Sequence, residues 1–325
     1  MTEDRWVTAS APGKFVVLGE HSVVYGKPAL VLATDRRITC SVRRSQRNSL
    51  NGEALDLWRQ PHFQYLTRDM GYCLDFLTTS EIPSGSGMGS SAALSAALAL
   101  AIRTERGEFP TELSLVEEAY GAELHAQGNG SPMDASACVH GGGIAVNIPE
   151  EKDELWTISR GERTWKVSDI KTPDLSFVIG NTGIKAPTGP QVEKVRRYTK
   201  KSGFATDIIE EMGMLTMEGY KALKAGNKEL LGRLMTQDHK LLSILGVSCR
   251  ELNKLVYAAL PYSYGAKLTG SGGGGCMVAL TDEPDKVADI IRSRGGTPFI
   301  MKSGSEGARM EVGVAKGIPM EIPMI

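Results

Sequence analysis

The chain has no surplus of charge, no paired cysteines and no apolar run long enough to cross a bilayer, and each absence removes a class of function. Its 37 Lys and Arg stand against 38 Asp and Glu, a net charge of −1, so no global basic field points to nucleic acid or to an anionic membrane. Five cysteines (Cys40, Cys73, Cys138, Cys249, Cys276) are dispersed and odd in number, with no CxxC pair. That argues against a disulfide framework or a structural zinc and fits a reducing cytoplasm. The histidines (His21, His62, His125, His140, His239) are equally scattered. The longest uncharged apolar segment, residues 90–102, is too short for a membrane span and reads as a core helix. The opening Met1-Thr2-Glu3-Asp4-Arg5-Trp6 lacks the basic-then-apolar pattern of a secretory signal. There is no internal repeat and no low-complexity tract.

What is present is an ordinary globular composition, 41% hydrophobic and 23% charged over 325 residues, enough for two domains and a substantial core. Apolar β-type runs at residues 14–18, 29–33 and 38–42 open the chain with strands. Helical periodicity follows over residues 62–77 and 113–127. A glycine patch, Gly141-Gly142-Gly143, leads into a strand-like run at residues 144–148. The polar stretch 149–169 breaks the pattern and marks the neighbourhood of a boundary between units 1–170 and 171–325. Beyond it come a strand at residues 175–180 and amphipathic helices near 205–225, 228–245 and 248–260. The chain closes with a strand-like run ending at Leu280, a helix near 285–292 and strand-like ends. The mixture, without a strict βαβ rhythm, predicts a two-domain α+β protein.

Four separated segments carry candidate chemistry. Pro83-Ser84-Gly85-Ser86-Gly87-Met88-Gly89-Ser90-Ser91, followed by an Ala/Leu helix former, places N–H groups, a helix N-terminus and hydroxyls around one point. That arrangement holds phosphate, although a tight turn before a buried helix would use the same residues. It is not a Walker loop, because Gly89 and not Lys precedes Ser90, nor a dinucleotide fingerprint, which needs Gly at Ser90. The run from Ala11 to Gly26 puts Lys14 at a strand start and Glu20 and His21 in the turn that follows, where sites are often built; a solvated turn is the alternative. Glu123 shares a helix face with Val116, Ala119 and Tyr120, so it needs a cation or a donor, in a site or in a structural ion pair. Asp134 follows in a turn-rich segment that would also suit Asx capping. Finally, six of the ten residues 267–276 are Gly or Ser between apolar segments, which suits a backbone passing tight against a ligand better than a flexible linker.

Taken together, in order and spacing, these segments resemble the GHMP small-molecule kinases, and within that superfamily the mevalonate kinases of the short archaeal and bacterial type. Residues 83–93 match the family's ATP loop with Met88 in the usual Leu place, Pro12-Gly13-Lys14 and Gly19 to Gly26 match the N-terminal motif, and Gly270 to Cys276 the third. The resemblance implies an N-terminal mixed β-sheet with helices and a C-terminal ferredoxin-like α/β sandwich. It implies transfer of the ATP γ-phosphoryl group to the 5-hydroxyl of mevalonate in isoprenoid biosynthesis, in a cytoplasmic enzyme, commonly a homodimer. It assigns phosphate binding to residues 83–91 and Mg²⁺ to Ser91 and Glu123, with Ser90 the neighbour most easily confused with Ser91. Asp134 would accept or orient the substrate proton, and Lys14 would pair with Asp134 and steady the developing charge. Glu20, His21, Thr269 and, more weakly, Thr182 would line the mevalonate side. A phosphomevalonate, homoserine or sugar kinase, a related decarboxylase, and a sensor that binds ATP without turnover are the competing readings.

Overall fold

The computed structural model describes residues 5–83, 86–128 and 130–311. Ser84 and Gly85, two expected phosphate-loop residues, lie outside them. The first sheet is built on β1 (Val7–Leu18), β2 (Ala29–Ser45), β3 (Ser49–Leu50) and β4 (Glu53–Ala54). The short α1 (Pro61–Leu66) then leads to β5 (Cys73–Ser80). Next come α2 (Ser90–Glu105), α3 (Glu112–Gln127) and α4 (Met133–His140), before β6 (Gly143–Val146), β7 (Glu154–Arg160) and β8 (Arg163–Asp169). The long β2 is the spine: it pairs antiparallel with β1, β5 and β6, and β6 pairs with the β7–β8 hairpin through β8.

The second sheet starts at β9 (Ser176–Asn181). Four helices follow, α5 (Thr188–Lys201), α6 (Gly203–Lys224), α7 (Lys228–Ile244) and α8 (Arg250–Ala259). The hairpin β10 (Gly265–Thr269) and β11 (Cys276–Leu280), then α9 (Pro284–Ser293) and β12 (Thr297–Lys302), complete it. The strand order β10-β11-β9-β12, all antiparallel, is the ferredoxin-like order expected. A last short strand, β13 (Arg309–Met310), leaves this sheet and pairs with β1.

The fold explains the sequence pattern of α2. Residues 92–102 are buried without interruption, because the helix lies across β1 and β2 on one side and against α3 and α4 on the others. A helix apolar all round is buried all round, and its alanines (Ala92, Ala93, Ala96, Ala97, Ala99, Ala101) let the sheet approach closely.

Two local expectations are corrected, for residues 62–77 and for Lys14, and one stretch gains an element that the sequence did not assign. The helix predicted over residues 62–77 stops at Leu66 and gives way to β5, where Leu74 and Phe76 alternate inward. Most of the polar stretch 149–169 is the β7–β8 hairpin, with Trp156, Ile158, Trp165 and Val167 buried on one face and Thr157, Ser159, Thr164 and Lys166 on the other. Lys14 does not begin a strand; it follows a register shift between Pro12 and Lys14 inside β1.

Candidate active site

That register shift aims Lys14. Gly13 sits at it with no room for a side chain, a Cβ there falling 2.8 Å from the Met88 carbonyl oxygen. The Lys14 N–H donates to the same carbonyl at 2.9 Å, so strand and glycine loop are locked together. The Lys14 stem then runs beneath Gly89, and its Nζ reaches Asp134 Oδ2 at 3.0 Å and the Gly87 carbonyl at 3.2 Å. Lys14 is 3% exposed and the Asp134 side chain 38%, so the ion pair is closed on the lysine side and open on the carboxylate side. Asp134 lies in the first turn of α4, where the helix dipole favours an anion.

Gly89 caps α2 at φ 70° without a side-chain cap, and the first intrahelical bond runs from Ala93 N–H to the Gly89 carbonyl. The N–H groups of Ser90, Ser91 and Ala92 therefore have no intrahelical partner. An added Cβ at Gly89 would lie 2.8 Å from Lys14 Cγ. Gly89→Ala is expected to cost about 1–3 kcal/mol from the left-handed backbone alone, and to lower kcat by displacing Lys14; thermal unfolding and initial rates on the same preparation measure the two effects. The third motif closes the loop from the other side: at Gly87, φ 76°, a Cβ would be 3.1 Å from the Thr269 carbonyl.

Beside the start of α2, Ser91 Oγ donates to Glu123 Oε1 at 2.5 Å. The sequence left Ser90 and Ser91 hard to separate; Ser91 is the one that reaches Glu123. The same carboxylate oxygen accepts from Ser95 Oγ at 3.3 Å, and Gln127 Nε2 donates to Oε2 at 3.0 Å. His62 Nε2, from α1, lies 2.8 Å from Ser91 Oγ and 3.1 Å from Glu123 Oε1. Nothing in the sequence flagged His62, since its short helix gives no signal of the direction it faces.

The Glu20–His21 turn is buried. His21 takes φ 60°, and its Nε2 is 3.0 Å from the Ser271 carbonyl oxygen. Burial lowers its pKa to about 4, so the ring is neutral and Nε2–H donates. Glu20 pairs with Lys267 of β10, which also lies 3.3 Å from Asp238 of α7. All three side chains are buried, and among the described residues Glu20 Oε2 and Asp238 Oδ1 have no hydrogen-bond partner. Burial pushes the Glu20 pKa up to about 8 against the pull of Lys267 and raises that of Asp238. Next to the cluster, His239 Nδ1 accepts the Leu268 N–H at 3.2 Å and Nε2 lies 3.1 Å from Asn253 Oδ1; burial lowers this imidazole to about 4 as well. Neither Lys267 nor Asp238 was singled out from sequence.

The remaining candidates serve the backbone. The Thr269 hydroxyl accepts the Val16 N–H at 2.9 Å and donates to the Val16 carbonyl at 3.2 Å, tying the second sheet to β1. Thr182 Oγ1 donates to the Gly275 carbonyl at 2.8 Å.

The GHMP kinases N terminal domain matches residues 59–142 and the GHMP kinases C terminal region matches residues 220–296. A mevalonate kinase of Pyrococcus furiosus is 33% identical over 94% of this chain and 98% of its own. One from Methanothermobacter thermautotrophicus is 32% identical over 87% of this chain and 92% of its own. The crystal structure of the Methanococcus jannaschii mevalonate kinase superposes with a TM-score of 0.76 at 23% identity, covering 94% of this chain and all of that one; at that identity it speaks for the fold.

Proposed function

The chain belongs to the GHMP kinases, and we propose that it moves the γ-phosphoryl group of ATP to the 5-hydroxyl of mevalonate, giving 5-phosphomevalonate and ADP. The observation that carries the reading is the Lys14–Asp134 ion pair at the foot of the glycine loop, in a chain whose relatives of matching length are named mevalonate kinases. Phosphoryl transfer needs alignment and charge neutralisation more than covalent help. The loop of residues 83–91 and the N–H groups of Ser90, Ser91 and Ala92 at the start of α2 hold the phosphates. Asp134, partly exposed, takes the proton of the attacking hydroxyl, while Lys14, 3.0 Å away, faces the charge that builds on the acceptor oxygen. His21 and Glu20 shape the mevalonate side through the buried turn, and Thr269 does so through its hold on Val16.

Ser91 and Glu123 are hard oxygen donors within reach of each other, a set that fits Mg²⁺. When bound there, the ion would neutralise charge on the β- and γ-phosphates. The unit boundary at 170/171 is supported by the change of sheet between Asp169 and Ser176, even though residues 309–310 rejoin the first sheet. A cytoplasmic homodimer completes the proposal. Five free cysteines suit that compartment, and among the described residues no helix is long and apolar enough to cross a membrane. Light scattering behind size exclusion reads the oligomeric state.

The direct test is an assay with mevalonate, ATP and Mg²⁺, in which phosphorus NMR reads the position phosphorylated. Transfer to the 3-hydroxyl, or turnover only on phosphomevalonate, homoserine or a sugar, would overturn the substrate assignment.

A further inference from the structure

We propose that His62 is a nitrogen ligand of the metal site, so that Ser91, Glu123 and His62 form one face of the coordination shell and tilt the site from Mg²⁺ toward first-row transition ions. The proposal rests on the reading of Ser91 and Glu123 as the metal-binding pair. Its geometric basis is a triangle. His62 Nε2 lies 2.8 Å from Ser91 Oγ and 3.1 Å from Glu123 Oε1, and those two oxygens are 2.5 Å apart. Adjacent donors around an octahedral ion with bonds of about 2.1 Å stand roughly 3 Å from one another. Three donors already at that spacing need only small shifts to accept an ion above their common face. Among the described residues no group of three His, Cys, Asp or Glu side chains could hold a metal alone. The open positions therefore fall to water and phosphate oxygens, as expected for an ion delivered with a nucleotide.

Two further observations favour ligation over a purely structural contact. Gln127 Nε2 holds the far oxygen of Glu123, the kind of outer contact that orients a ligating carboxylate. The side chains of His62 and Glu123 are 18% and 16% exposed, shielded yet open to an incoming ion. Chemically, an all-oxygen set suits Mg²⁺, whereas an imidazole adds affinity for Mn²⁺ and, more steeply, for Co²⁺ and Ni²⁺.

The test uses the full chain with ADP and Mn²⁺. Pulsed electron paramagnetic resonance should show a directly bonded ¹⁴N coupling that converts to ¹⁵N when the protein is grown on ¹⁵N-histidine, which separates protein nitrogen from adenine nitrogen. In titration calorimetry, His62→Ala and His62→Gln should weaken Mn²⁺ by about 10-fold or more, the scale of losing a group from a metal's surroundings, and weaken Mg²⁺ much less. A histidine coupling that vanishes in these variants supports the proposal. No such coupling, or unchanged Mn²⁺ affinity in both variants while Glu123→Gln loses it, overturns the role of His62 and leaves the metal pair standing. If Glu123→Gln also binds Mn²⁺ as wild type does, the metal pair itself is wrong and the proposal falls with it.

Discussion

Asp134→Asn should lower kcat by about 10²–10⁴-fold, the usual contribution of a positioned base, while leaving the nucleotide dissociation constant close to wild type. Asparagine keeps the shape of the side chain and can still accept a hydrogen bond from Lys14, 3.0 Å away, but it cannot take a proton. The fold should lose little at the Asp134 side chain itself, which is 38% exposed at the start of α4, and more at Lys14, which is 3% exposed and exchanges a charged partner for a neutral acceptor. Lys14→Met should be as damaging to kcat and more damaging to stability, since Lys14 is buried and also ties down the Gly87 carbonyl. Initial rates at saturating mevalonate, with calorimetry for the nucleotide, separate these outcomes. Near-normal kcat in Asp134→Asn would reduce Asp134 to an orienting group, and an effect of Lys14→Met confined to KM would make Lys14 a binding group only.

Where the sequence could be read, one physical signal dominated. The glycine loop and the Ala/Leu run of α2 were legible because backbone freedom and uninterrupted burial both leave composition marks. Lys14, Glu123 and Asp134 were named by resemblance to a family, and the expected pairing of Lys14 with Asp134 is present in the fold at 3.0 Å. Other elements were obscured by competing signals. Residues 62–77 mix the inward Phe63 and Leu66 of α1 with the period-two Leu74 and Phe76 of β5, and short apolar runs do not separate the two periods. The β7–β8 hairpin blurs its alternation, because Arg160 and Arg163 put charge on the same alternate positions as Trp156, Ile158, Trp165 and Val167. Strongly polar α5 buries only Val195, so it had no stripe to see. Lys267 and Asp238 were unreadable for a different reason. A lysine in a five-residue strand, or an aspartate on an amphipathic helix, gives no local sign that a third chain segment will bring Glu20 to meet it.

That hidden cluster should be the most sensitive point of the fold. Lys267→Met would leave Glu20 and Asp238 buried together without their cation, and breaking a buried pair in this way costs about 3–5 kcal/mol, a large share of the 5–15 kcal/mol typical of a whole domain. The loss should depend on pH. The Glu20 pKa is raised to about 8 in the folded protein, so its contribution is fully present below the unfolded value near 4.5 and is lost as pH rises through 8. Without Lys267 that pKa rises further, and the deficit of the variant should be larger at pH 8 than at pH 5.5. Asp238→Asn placed on Lys267→Met removes one bare carboxylate and should recover part of the loss at the higher pH. The buried imidazoles act with the opposite sign. His21 and His239, both lowered to about 4, stabilise the fold above about 6.5, and that stability drains away as pH falls toward 4. Urea unfolding of wild type, Lys267→Met and the double variant at pH 5.5 and 8 measures each term. Equal deficits at the two pH values, with no recovery in the double variant, would mean that Lys267 fills space and that its charge is not what joins β10 and α7 to the Glu20 turn.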